Sequence, residues 1–453
     1  MKTEKTRENK RLQYIAVVFL LVIFVLSAGM INGENPYLEN ARKAAEWIKS
    51  TGIKKNQGMT WPAIPGDPET VSNNLYAGTP GVVLFFLEAY YATEDKRHLE
   101  DACQGADHLL ASIPGEKDMG LYTGIAGIGF ALEETFKASG KEKYRDGVRQ
   151  CIRSIRSRAK KAGKGIEWYV DSYTFTDIIA GGAGTGLFLV YAGQELKDPG
   201  LYDLAAQVGQ RLLELGIPEK GGLKWRMSPG YPRLMPNFSH GTAGISYFLA
   251  TLYRHTKKKE FLDGALAGAR YLLAIAKKEG DTCLIFHHEP EGEDLYYLGW
   301  CHGPVGTARL FYRLYEITGD KTWLDWVKKS ANAVLQSGIP EKHTPGFWNN
   351  VGRCCGSAGA AEFFLDLYRI SKNKDYLVFS KGVTDHILKK AKKTAPEGKG
   401  LKWIQAEHRV KPDLLQAQTG LMQGAAGIGM WLLKLAAFEK GKKEKIIFPD
   451  SPF

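Results

Sequence analysis

One alternation of apolar and polar positions returns seven times along the chain. A short polar stretch gives way to Gly-x-x-Gly, and the glycine pair opens a run that is hydrophobic on nearly every side, as in "LYAGTPGVVLFFLEAY", "FSHGTAGISYFLATLY" and "LMQGAAGIGMWLLKLA". A helix that is apolar all round has to be enclosed by protein. Ahead of each run lies a segment with one apolar face, such as "YLENARKAAEWIKS" or "EKYRDGVRQCIRSIRSRA", the pattern of a helix that covers others and meets water on its far side. The first glycines are Gly78, Gly124, Gly181, Gly241, Gly303, Gly356 and Gly424, spaced 46 to 68 residues apart, room for two helices and their loops. The pattern predicts an all-α fold, an α/α toroid (barrel) of seven helical hairpins whose inner helices are opened by the Gly-x-x-Gly motifs. Every inner helix then starts at the same end of the ring, and that rim gathers seven equivalent N-termini. Between outer helix and motif, "GMTW", "GIEW", "GLKW", "GFW" and a second "GLKW" place Trp61, Trp168, Trp225, Trp348 and Trp403 in short strands at the rim. There they either pack the loops or line a cavity for a sugar or a peptide.

The N-terminus breaks the pattern. "MKTEKTRENKR" carries five basic and two acidic residues and runs into an apolar stretch, Ile15 to Ile31, of 17 residues. A positive flank before such a stretch is the layout of a secretory signal or an uncleaved membrane anchor. Residues 1–33 are read as that leader and 34–453 as the toroid, with the body outside the cytoplasm, secreted or held to the membrane by the apolar segment.

Composition adds little that changes this. A hydrophobic share of 44% and a charged share of 24% are those of an ordinary folded chain, and the 51 glycines reflect the repeated motif. The net charge of +12 comes partly from lysine clusters such as "HTKKKE" and "EKGKKEKI" at helix ends, where they complement the helix dipole. No nucleic-acid role is assigned to them.

Chemistry emerges when the units are aligned on their first glycine. Immediately before it stand Ala77, Thr123, Ala180, His240, His302, Cys355 and Gln423, and one place earlier Tyr76, Tyr122, Ile179, Ser239, Cys301, Cys354 and Met422. His and Cys fall only in units four, five and six, which are neighbours around the ring. Helix N-termini lower thiol pKa values, so thiolate is the expected resting form. Cys301, Cys354 and Cys355 would then form a three-sulfur shell for zinc with a fourth tetrahedral position open to substrate, for which His302 competes. Cys103, Cys151 and Cys283, the last in an expected strand, are assigned to the core. His287 and His288 belong to no inner-helix start and are set aside as ligands.

The ordered set "SHGTAG", "WCHGPVG" and "CCGSAG" within seven such units resembles the lanthionine synthetase C-like family, the lantibiotic cyclases. The resemblance implies a zinc-dependent enzyme that activates a cysteine thiol and adds it to a dehydro-amino acid, forming a thioether. Carried over by position, it makes Cys301, Cys354 and Cys355 the metal ligands and gives His240 and Asp177 catalytic roles. His240 would handle the enolate proton and Asp177 would orient it. It also places His302 and Tyr297 in the substrate pocket. Tyr297 stands where some members carry an arginine, so a fixed cation for the enolate is expected to be missing. The implied partners are a peptide or small-thiol substrate and, for a true cyclase, a separate dehydratase. Two other functions fit the residues: a non-catalytic zinc protein that binds a thiol or peptide, and a glycan-active toroid. The second needs a carboxylate pair, for which Asp177, Asp171 and Glu407 are the candidates.

Overall fold

The computed structural model describes residues 35–394 and 398–453. The expected leader lies outside them. No helix among the described residues is long and apolar enough to cross a membrane.

Fourteen α-helices among the described residues alternate between two concentric layers. The inner layer is α2 (Thr79–Thr93), α4 (Ile125–Ser139), α6 (Gly182–Glu195), α8 (Thr242–Thr256), α10 (Pro304–Thr318), α12 (Ser357–Ser371) and α14 (Ala425–Glu439). The outer layer is α1 (Pro36–Ser50), α3 (Lys96–Ser112), α5 (Glu142–Arg158), α7 (Gly200–Leu215), α9 (Lys259–Ile275), α11 (Thr322–Leu335) and α13 (Lys374–Lys390). Each inner helix packs chiefly on the outer helix that follows it through a short turn. The last inner helix, α14, packs on the first outer helix, α1, and on α2. Asn35 at the start of α1 donates to Glu439 at the end of α14 at 2.7 Å, closing the ring. This is the α/α toroid the periodicity predicts, with the apolar runs inside.

In all seven units the first motif glycine is the N-cap of its inner helix. The second packs against the turn that precedes it: a Cβ on Gly306 would run into the Trp300 carbonyl oxygen. These tight turns leave backbone groups that must be paired once buried, and they pair with the neighbouring unit. Tyr76 N–H bonds Tyr122 O, Tyr122 bonds Ile179, Ile178 bonds Ser239, Ser239 bonds Cys301, Trp300 bonds Cys354, Cys354 bonds Met422, and Met422 bonds Tyr76 again, at 2.8–3.2 Å. A circlet of main-chain hydrogen bonds thus runs through the position two places before each N-cap.

Short antiparallel strands decorate the same rim: β1 (Ile53–Lys55) with β2 (Gly58–Thr60), β3 (Lys160–Ala162) with β4 (Gly165–Glu167), β5 (Ile217–Glu219) with β6 (Gly222–Lys224), and a sheet of β7 (Ala391–Lys393), β8 (Leu401–Ala406) and β9 (Leu415–Ala417). The rim tryptophans correct the strand expectation in detail. Trp403 lies in β8, Trp61, Trp168 and Trp225 directly follow strands, and Trp348 follows only an isolated bridge between Thr344 and Phe347. Cys283 also lies outside any strand, next to a bridge residue, though it is buried as expected. Four of the five tryptophans pack loops. The indole N–H groups of Trp168, Trp225 and Trp403 donate to the last-turn carbonyls of the preceding outer helices, Ile155, Leu212 and Ile387, at 2.6–2.9 Å, and Trp61 is fully enclosed.

After α14 the chain turns back into the middle of the ring. Glu88 of α2 accepts the backbone N–H groups of Lys445 and Ile446 at 3.0–3.2 Å. Glu444 pairs with Arg369 and Lys434, Phe448 packs on Phe130, and Phe453 packs on Tyr312 and Phe363. A segment that touches α2, α4, α10, α12 and α14 fills the axial channel.

Candidate metal centre and its pocket

The circlet brings the cysteines together. Cys301 and Cys354 hold equivalent places in units five and six, and the carbonyl of Cys354 accepts from Trp300 N–H at 2.8 Å and from Cys301 N–H at 3.3 Å. Cys355 follows one place on. The Cys301 and Cys355 sulfurs are 3.2 Å apart, those of Cys354 and Cys355 3.5 Å. All three sulfurs lie within 4.8 Å of one another, buried, and no disulfide joins them. Around them Tyr76 OH bonds Cys354. Gln423 Nε2 reaches Tyr76 OH at 3.0 Å and Cys355 Sγ at 3.7 Å.

Burial drives the Cys301 thiol well above its ordinary pKa, helped by its neighbours' sulfurs. For Cys355 the hydrogen bond from Cys301 pulls downward, but the contact with Cys354 and burial outweigh it and the thiol is raised. Burial opposes ionisation at Cys354 too, yet hydrogen bonds from Cys301, Cys355 and Tyr76 hold it well below the usual thiol range. Helix N-termini were expected to leave all three ionised; burial and mutual repulsion overrule that for two. Three soft donors that cannot all carry charge unaided are a fit for a divalent cation of the zinc type. Cys301, Cys354 and Cys355 would hold it. His302 is not among the clustered donors.

Beside the thiols opens a cavity of about 480 Å³, lined by Cys301, Cys354, Cys355, Tyr76, Trp300 and Gln423 on one side and His240, His287, His302, Tyr297, Trp348 and Arg409 around the rest. His240 Nδ1 is 2.6 Å from Asp177 Oδ2, and the other oxygen of Asp177 accepts Ala180 N–H in its own turn at 3.0 Å. The fully buried carboxylate therefore fixes the ring and leaves Nε2 for the cavity. His302 stacks on His240 at 5.6 Å and tilts against His287 at 4.0 Å between centroids, with its Nδ1 buried and unpartnered. Burial, with the nearby imidazoles, holds His302 well below the usual imidazole range, and His287 falls to about 3 for the same reasons. His287 and His302 are therefore neutral at physiological pH.

The structure thus brings together the sequence-predicted Cys301, Cys354, Cys355, His240, Asp177, His302 and Tyr297. Asp171 sits in an exposed turn away from the cavity, and Glu407 is the one carboxylate among the cavity's lining residues, so the pair needed for glycan cleavage is not assembled there. Three participants were missed. Gln423 was legible in the alignment, as the unit-seven equivalent of Cys355. His287 and Arg409 come from rim loops outside the repeat and carry no such signal. Arg409 changes one expectation: its Nε donates to Tyr297 OH at 3.1 Å, so a guanidinium reaches this wall after all, delivered by the β8–β9 loop.

The chain is thus an α/α toroid with three buried cysteines clustered at the rim where its inner helices begin. The sequence matches the lanthionine synthetase C-like protein family over residues 69–448, and the chain belongs to that family. A zebrafish (Danio rerio) relative, "Glutathione S-transferase LANCL1", is 20% identical over 317 residues, covering 67% of this chain and 71% of its own. Among solved structures, nisin cyclase superposes with a TM-score of 0.62 at 16% identity over 90% of this chain and 95% of its own. The GH76 α-mannanase BT2949 of Bacteroides thetaiotaomicron reaches 0.51 at 11% identity over 90% and 97%. Both likenesses are of fold.

Proposed function

We propose that the protein is a zinc-dependent enzyme that adds a cysteine thiol to a dehydro-amino acid. The observation that carries this reading is the juxtaposition of three sulfurs within 4.8 Å and an Asp177–His240 pair on one cavity. Zinc, when bound, supplies Lewis acidity that makes an incoming thiol nucleophilic near neutral pH. The chain's residues do the rest. Attack on the β-carbon forms a C–S bond and moves the alkene's electron pair onto the carbonyl, as an enolate. Arg409, held by Tyr297, is placed to offset the oxygen's charge. His240 takes the thiol's proton on Nε2, becomes an imidazolium held through Nδ1 by Asp177, and returns that proton to the α-carbon. No group leaves, so product and substrate have equal mass.

The substrate is a peptide or a small thiol, and a separate dehydratase makes the alkene. The zebrafish relative is named a glutathione S-transferase, which favours a thiol substrate without choosing between them. The N-terminal apolar segment favours an extracytoplasmic protein, secreted or membrane-attached. The test is ring closure on a dehydroalanine peptide bearing a distal cysteine, followed by loss of alkylatable thiol. The native protein should accelerate closure, and His240→Ala should slow the catalysed rate by about 10²–10⁴-fold with zinc retained. Equal closure with and without protein overturns the reading.

A further inference from the structure

We infer that residues 444–453 brace the thiol centre from inside the ring, with Asp450 acting as a positioning residue for Cys301. The inference rests on the three-thiol site being a metal site.

Asp450 is 1% exposed, and a carboxylate is retained at such a place only with partners. Its Oδ2 accepts from the Trp300 indole N–H at 3.2 Å and from Tyr122 OH at 3.2 Å. Arg309 Nη1 lies 3.8 Å from that oxygen and 3.1 Å from the Asp450 carbonyl. These partners are elements of the rim itself. Tyr122 is a member of the hydrogen-bonded circlet. Trp300 immediately precedes Cys301, lines the cavity, and gives its backbone N–H to Cys354. One carboxylate from the axial segment therefore holds the side chain of the residue that joins the unit bearing one sulfur to the unit bearing the other two. Turning the indole would break its N–H bond and strip Asp450 of a donor. The segment is anchored along its length by Glu88, by the Glu444 ion pairs and by Phe448 beneath the Arg353 guanidinium, 4.3 Å from ring centroid to guanidinium carbon. The family match ends at residue 448, so Asp450 lies beyond it.

The experiment compares the native chain with Asp450→Ala, Asp450→Asn, Trp300→Phe and the Ala/Phe double variant. Zinc affinity is read by competition with a chromophoric chelator, and the sulfur-to-metal absorption is read with cobalt. Asp450→Ala should weaken metal binding by about 10–100-fold and alter the cobalt spectrum. Asp450→Asn, which keeps an acceptor for the indole, should recover most of the affinity. Trp300→Phe should add little on top of Asp450→Ala, because both remove the same bond. A Trp225→Phe control, remote from the centre, should leave affinity unchanged even where it lowers melting temperature. Variants that bind cobalt as tightly and with the same spectrum as the native chain overturn the brace alone. A native chain that takes up neither metal overturns the metal reading and the brace together.

Discussion

Three sulfurs within 4.8 Å of one another, with Cys355 3.2 Å from Cys301 and 3.5 Å from Cys354, repel one another as soon as more than one ionises, and this sets how each residue should respond to replacement. Removing Cys301 leaves two donors from one unit and removing Cys354 leaves one from each, and either pair is too few to enclose a tetrahedral ion. Cys301→Ala and Cys354→Ala should each reduce zinc from about one per chain to a small fraction of that, measured by elemental analysis of the purified protein, with helical content unchanged. Full zinc in either variant would place the metal elsewhere. The clustering of the three cysteines was readable in the sequence, because a repeat converts distant positions into equivalent ones. Cys301 and Cys354 are 53 residues apart in sequence yet share a place in the unit. Arg409 and His287 were not readable, since a loop without register says nothing about where its side chains land.

Helices and strands were unequally legible for a related reason. Apolar periodicity reports burial, and it separated inner from outer helices throughout. The rim strands are three residues long for the most part, too short to display a period of two, and their tryptophans are ambiguous between loop packing and ligand stacking. For Trp168, Trp225 and Trp403 the structure resolves this through hydrogen bonding. A buried indole that satisfies a terminal helix carbonyl is a C-terminal cap made by a side chain, supplying the donor that the last turn lacks. Trp225→Phe removes the N–H and leaves Leu212 O unpaired in the interior, which should cost about 1–3 kcal/mol, seen as a lower denaturant midpoint at constant slope. Trp348 differs: its indole N–H donates to Ala406 O in β8 at 2.9 Å, a carbonyl that Asn350 also serves, while its ring lines the cavity 5.3 Å from Tyr297, so its replacement should disturb the pocket more than the fold.

The molecule as a whole carries an unusual load of charge in its interior. Arg353, Glu362, Lys434, Asp366, Glu444 and Arg369 are joined by salt bridges along the axial channel, and Arg353 with Lys434 overcomes burial to hold Glu362 near about 2. Glu88 has no such cation among the causes of its shift. Burial raises it to about 7 against the backbone N–H bonds of Lys445 and Ile446. A carboxyl whose pKa rises on folding, here from 4.5 to about 7, makes the folded chain bind more protons across that window. Its stabilisation is complete below pH 4.5 and is lost as pH climbs through 7. The difference in stability between Glu88→Gln and the native chain should therefore change in favour of the variant by on the order of 3 kcal/mol between pH 4.5 and 8, measured by denaturant unfolding at each pH; a flat difference would exclude the assignment. The amphipathic and apolar periods made the toroid legible in advance, but nothing in them announced that residues beyond the last helix would re-enter its centre. The meeting of α1 with α14 has a further consequence. Because the unit-to-unit contacts run unbroken around the ring, no unit is first by architecture, and a circularly permuted version, cut in the exposed turn at Gly140–Lys141 between α4 and α5 and spliced where Asn35 meets Glu439 with the axial segment supplied separately, should regain the same architecture.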